Sequence, residues 1–94
     1  MSSAELGDVE SAIKRLLITE LQADAALIEN ADEDIPLLGR GIGLDSIEAL
    51  RLALGLEKQF DLLIPDSDLT VELFASVRSL AEYVQSKILE REVR

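Results

Sequence analysis

Asp45 and Ser46 open the segment Gly43-Leu44-Asp45-Ser46-Ile47-Glu48-Ala49-Leu50, where the chain concentrates the groups most able to take part in chemistry. The serine has nothing that could make it a nucleophile. The sequence holds no histidine and no cysteine, so neither a Ser-His-Asp nor a Cys-His arrangement can form, and no lysine stands nearby as an obvious base. A hydroxyl that cannot activate itself can still be modified by another enzyme. Asp45 with Glu48 three residues later spells a helix start with a capping box, which puts Ser46 in the first turn. Free N–H groups and the helix dipole there favour an attached phosphate. The same residues also describe an ordinary capped helix with an exposed serine, and spacing alone leaves both readings open.

Composition excludes much else. Without cysteine there is no disulfide scaffold, and without cysteine or histidine there is no ordinary zinc, haem or iron–sulfur ligation. A formal charge of −10, from 19 acids against 9 bases, argues against a nucleic-acid partner. Asp66-Ser67-Asp68 starts like a calcium loop but has Val71 where such a loop needs glycine. Gly39-x-Gly41-x-Gly43 lacks the spacing of a phosphate-binding fingerprint and reads as flexibility. Met1 to Asp8 holds no basic residue and no apolar run, and no stretch approaches a membrane span, so a cytoplasmic protein without a signal peptide is expected.

Ninety-four residues, 48% of them hydrophobic, predict one domain over 1–94 with frayed ends near 1–4 and 90–94. Leu6, Val9, Ile13, Leu16, Leu17 and Leu21 recur at three- and four-residue spacings and predict a helix over about 5–21. A long connection follows from about Ala23 to Leu44, whose Leu27, Ile28, Ile35, Leu37 and Leu38 predict that it packs on the core. A second principal helix runs from Ser46 to about Phe60. Its apolar face is Ala49, Leu50, Leu52, Ala53, Leu56 and Phe60, with Ile47 and Leu54 at the margin beside Glu48, Arg51, Gly55 and Lys58. Pro65 stops any continuation, and Leu62-Leu63-Ile64 has no partner strand. Short helical turns, counted as one minor helix, are expected near Asp68 to Phe74. Ser76 then caps a last helix carrying Val77, Leu80, Ala81, Val84, Ile88 and Leu89 on one side. The fold class is all-α: three principal helices, one short helix and a long packed first loop.

Charge is concentrated in the middle. Between Asp24 and Glu72 twelve acids face only Arg40, Arg51 and Lys58, a net −9, which points to a basic partner surface or to solubility alone.

Gly43-Leu44-Asp45-Ser46-Ile47 resembles G-x-D-S-[LI], the attachment motif of acyl carrier proteins. The resemblance continues through Leu54-x-Leu56-Glu57-x-x-Phe60, Ile64-Pro65-Asp66 and Phe74-x-Ser76-Val77-x-x-Leu80, covering nearly the whole chain. It implies that Ser46 carries 4′-phosphopantetheine, donated from coenzyme A by a separate transferase that recognises Asp45 and Ile47. It implies a non-catalytic, monomeric carrier that docks loading, condensing and modifying enzymes with basic surfaces through Ile47, Glu48, Arg51, Leu54 and Glu57. It also implies an acyl pocket at Leu50, Leu56, Ile64, Leu69, Phe74 and Ala81, positions that equally suit plain core. Two departures stand out: Arg51 and Lys58 in a helix that the family usually makes more acidic, and the long approach Leu38-Gly39-Arg40-Gly41-Ile42-Gly43. Both suggest a specialised lipid or secondary-metabolite pathway. An aminoacyl or peptidyl cargo is the alternative within the class, and an acidic helical adaptor without a prosthetic group is the alternative outside it.

Overall fold

Periodicity in the sequence becomes burial in the computed structural model, which describes residues 5–93. In α1 (Leu6–Thr19), Val9, Ile13 and Leu17 recur every fourth residue and are fully buried. In α4 (Val77–Val93), Val77, Leu80, Ala81, Val84 and Ile88 form the matching stripe, and α1 packs along it. Ser76 and Ser79 cap α4 reciprocally: each backbone N–H donates to the other's hydroxyl, at 2.9 and 3.0 Å. Serine thus does at the third helical position what a glutamate does in the usual capping box. Between these helices in sequence lies α3 (Ser46–Phe60), which also packs on α1 and buries Ala49, Leu52, Ala53 and Leu56.

The fourth helix is not where the sequence reading put it. It is α2 (Ala25–Glu29), inside the long connection, begun by Asp24, whose carboxylate accepts from the N–H groups of Ala26 and Leu27 at 2.9 and 3.4 Å. Near 68–74 the expected short helical turns are a single 3-10 turn, Asp66–Asp68, and then a turn in which Leu73 N–H donates to the Thr70 carbonyl at 3.1 Å, neither of them long enough to count as the fourth helix. The five residues of α2 are too few to show a helical period.

The long connection packs, as its apolar residues predict. Ile28 and Leu37 are fully buried and Leu44 nearly so. Charge fastens the middle of it. Lys14 donates to the Ala31 carbonyl and to Glu33, both at 2.8 Å, while the backbone N–H of Arg78 donates to the Glu33 carbonyl at 2.8 Å. The Lys14 hydrogen bond holds the Glu33 carboxyl below its ordinary range. Burial, with Glu33 nearby, pushes Glu10 the other way.

Among the described residues there is no strand, only an isolated parallel bridge between Leu38 and Leu44. No described helix is long and apolar enough to cross a membrane. Helix α4 continues regularly through Val93, so 90–93 are helical; residues 1–4 and Arg94, the rest of the expected frayed ends, lie outside the described residues.

Candidate functional site

The start of α3 is set from both sides. On the helix side, Glu48 N–H donates to Asp45 at 2.8 Å and Asp45 N–H donates to Glu48 at 3.1 Å, completing the expected capping box. On the loop side, Ile42 N–H donates to the Pro36 carbonyl at 2.8 Å and Leu44 N–H to the Leu37 carbonyl at 2.9 Å. These bonds fold 36–44 back on itself. The glycines here are therefore requirements of a tight turn and not the flexibility expected of them. A Cβ on Gly41 would lie 1.9 Å from the Pro36 carbonyl oxygen, and Gly43 holds φ at +83° directly before Leu44.

Ser46 is the first residue of α3 and is exposed. It stands on the rim of an apolar cavity of about 410 Å³ whose other walls are Leu38, Leu44, Ala49, Leu50, Leu69, Thr70, Val71 and Phe74. Tyr83 and Lys87 of α4 hold one wall in place. The Tyr83 hydroxyl donates to Asp68 at 2.6 Å, with Lys87 3.9 Å from the same carboxylate, which tethers the segment entering Leu69 and Thr70. Burial and this hydrogen bond push the Tyr83 phenol well above its usual range.

Of the six expected pocket residues, Leu50, Leu69 and Phe74 line this cavity, while Leu56, Ile64 and Ala81 are buried in the core away from it. Leu50, placed by its spacing on the apolar face as well as in the pocket, is 47% exposed at the cavity. Leu38, Leu44, Ala49, Thr70 and Val71 complete the lining without being among the expected pocket residues. The signal for two of them was the apolar pair flanking the glycine run, which the Leu38–Leu44 bridge brings together.

The expected docking residues divide into two sets. Ile47 and Leu54 are 69% and 49% exposed. Glu48 is committed to the cap, and Glu57 accepts from Ile64 N–H at 2.7 Å, anchoring the turn after α3. Arg51 is exposed and donates to the Glu20 carbonyl at 3.0 Å, giving the C-terminal end of α1 the cation its own last turn lacks.

The arrangement defines a helical domain that presents a modifiable hydroxyl at a helix N-terminus beside an apolar cavity. A phosphate ester at Ser46 would face solvent at the positive end of a fifteen-residue helix, and an apolar chain attached to it would start at the cavity rim. The residues present therefore fit a phosphate-linked prosthetic arm.

Comparison with known proteins gives the same class. The family model for a phosphopantetheine attachment site matches residues 11–84. Over 47 residues the chain is 40% identical to aminoacyl carrier protein 1 of Bradyrhizobium diazoefficiens, a stretch covering 50% of this chain and 52% of that relative. The match thus spans about half the length of that protein. Over 74 residues it is 26% identical to the acyl carrier protein of Campylobacter lari, covering 79% of this chain and 88% of the relative. The chain belongs to the phosphopantetheine-attachment family: it is a non-catalytic carrier domain for covalent 4′-phosphopantetheine.

Proposed function

We propose that Ser46 is the attachment residue and that the protein is an acyl carrier of a specialised lipid or polyketide-type pathway. The observation that carries this reading is the position of Ser46, exposed at the start of a doubly capped helix and on the rim of the apolar cavity. The prosthetic group, when bound, supplies the thiol that holds cargo as a thioester. The chain's own residues do the rest. Asp45 and Glu48 fix the helix start, so the serine is offered to the transferase in one geometry. Asp45 and Ile47 flank the hydroxyl as recognition elements. Leu50, Leu69 and Phe74 give an apolar cargo a place out of water. The net −9 between Asp24 and Glu72 supports steering toward partner enzymes whose surfaces are basic overall. The carrier works as a monomer in the cytoplasm.

An aminoacyl or peptidyl cargo is the second reading, favoured by the match to an aminoacyl carrier protein and by Arg51 and Lys58 on α3.

Intact-mass measurement after incubation with coenzyme A and a broad-specificity transferase tests the attachment. The wild-type chain should gain one phosphopantetheine and Ser46→Ala none. A gain on Ser46→Ala, or none on either protein, overturns the reading. The mass of the protein purified from its own cell then separates acyl from aminoacyl cargo.

A further inference from the structure

Helix α3 turns one narrow stripe straight away from the core. At about 100° per residue, Leu54, Ile47, Lys58 and Arg51 fall within about 60° of one another, opposite buried Ala49, Leu52 and Leu56. All four are exposed. The stripe alternates apolar and basic residues from Ile47, beside Ser46, to Lys58, about 17 Å along the helix.

The acids of α3 do not share this stripe. Glu48 and Glu57 fall on its two flanks, and each is engaged by a backbone N–H. Meanwhile, the two cations have no carboxylate partner within 4 Å among the described residues, in a chain with twice as many acids as bases. Among the described residues Arg51 bonds only the Glu20 carbonyl, through one of its five N–H donors. The local sign of the outward face is thus opposite to that of the molecule.

We propose that the α3 stripe docks a partner helix or surface that is apolar at its centre and carries carboxylates facing Arg51 and Lys58. This rests on the carrier reading, in which an enzyme reaching Ser46 must also cover Ile47. A contact that buries Ile47 and Leu54 also covers Arg51 between them, and a cation covered without a counter-charge loses its hydration for nothing. Carboxylates opposite Arg51 and Lys58 remove that cost. Lysines opposite them add repulsion, which excludes enzymes built for an acidic helix. Long-range attraction between the acidic chain and a partner that is basic elsewhere is compatible with this, since steering acts over the whole surface and docking acts at contact.

Two synthetic amphipathic helical peptides with the same leucine seam, one flanked by glutamates and one by lysines, test the proposal by amide chemical-shift mapping on the protein without its arm. The glutamate-flanked peptide should shift Ile47, Arg51, Leu54 and Lys58. Its binding should weaken about fivefold in Arg51→Gln/Lys58→Gln, the effect of two partly exposed ion pairs. Lys58→Gln alone, at a side chain with no hydrogen bond or ion pair among the described residues, guards against misfolding as the cause and should show part of that loss. Arg15→Gln, an exposed cation on α1, should leave binding unchanged. The proposal is overturned if the glutamate-flanked peptide leaves the four amides unmoved, or if the lysine-flanked peptide shifts them equally or more. The Ser46 mass test is independent of either peptide, so its failure would sink the carrier reading and leave the charge preference of the stripe still measured.

Discussion

Replacing Gly41 with alanine is the sharpest test of how the chain builds its site. The added Cβ would lie 1.9 Å from the Pro36 carbonyl oxygen and 2.7 Å from its carbon, both backbone atoms that cannot rotate aside. Residue 41 must retreat by about 1.5 Å to reach ordinary van der Waals contact. Such a retreat breaks the Ile42 N–H bond to the Pro36 carbonyl and strains the one from Leu44 to Leu37. Two backbone hydrogen bonds at about 0.5–1.5 kcal/mol each, with partial exposure of Leu37 and Leu44, give an expected loss of about 2–4 kcal/mol. Urea unfolding followed by far-ultraviolet circular dichroism measures it. Gly7→Ala is the control: Gly7 lies in the first turn of α1 with nothing within 4 Å of the added carbon, so there the substitution should stabilise, by up to about 1 kcal/mol. Because the loop ends one residue before Asp45, Gly41→Ala should also slow modification of Ser46. A variant as stable as wild type, with the same dependence on urea, would refute the account of the loop as a closed turn.

Glu57→Ala should cost about 1–3 kcal/mol by leaving Ile64 N–H without its acceptor, with faster amide exchange at Ile64; Glu57→Gln, which keeps an acceptor oxygen, should lose less. Leu52→Ala should cost about 2–5 kcal/mol in the same unfolding assay and Leu50→Ala less than about 1, since the first side chain is fully buried and the second half exposed. Acid should loosen the 31–35 segment. The folded-state value of Glu33 is lowered by Lys14, so its contribution is full above the unfolded value of 4.5 and fades as pH falls through the folded one. Glu10, with its value raised, works the opposite way, being favoured in the fold when protonated. Carboxyl titration by NMR should show Glu33 below and Glu10 above the ordinary value, with Lys14→Met bringing Glu33 back up.

Much of the fold was legible because its information is local. Helices α1, α3 and α4 each repeat their apolar period over several turns, and the capping pairs Asp45–Glu48 and Ser76–Ser79 sit three residues apart. What was not legible lacked that length or depended on distant chain. The five residues of α2 are shorter than two turns. Leu50 is apolar and lies on the apolar face by spacing, and only the tertiary structure shows it half exposed at a cavity. Glu57 and Arg51 read as surface charges from spacing alone, and only the tertiary structure shows that each also makes an internal bond, Glu57 to the turn after α3 and Arg51 to the end of α1.

The sequence by itself determined that no side chain here can activate a serine, that Ser46 begins a capped helix, and where most of the core lies. Each of these follows from residue types or from interactions within one helical turn. Only the tertiary structure decided which residues surround Ser46 and which charges on α3 bond within the chain. Arg51 meets Glu20 and Arg91 meets Phe60 across 31 residues of chain, and the cavity joins residues from 38 to 74. A wheel drawn on one helix shows what that helix can offer; packing against the others determines what is left over for a partner.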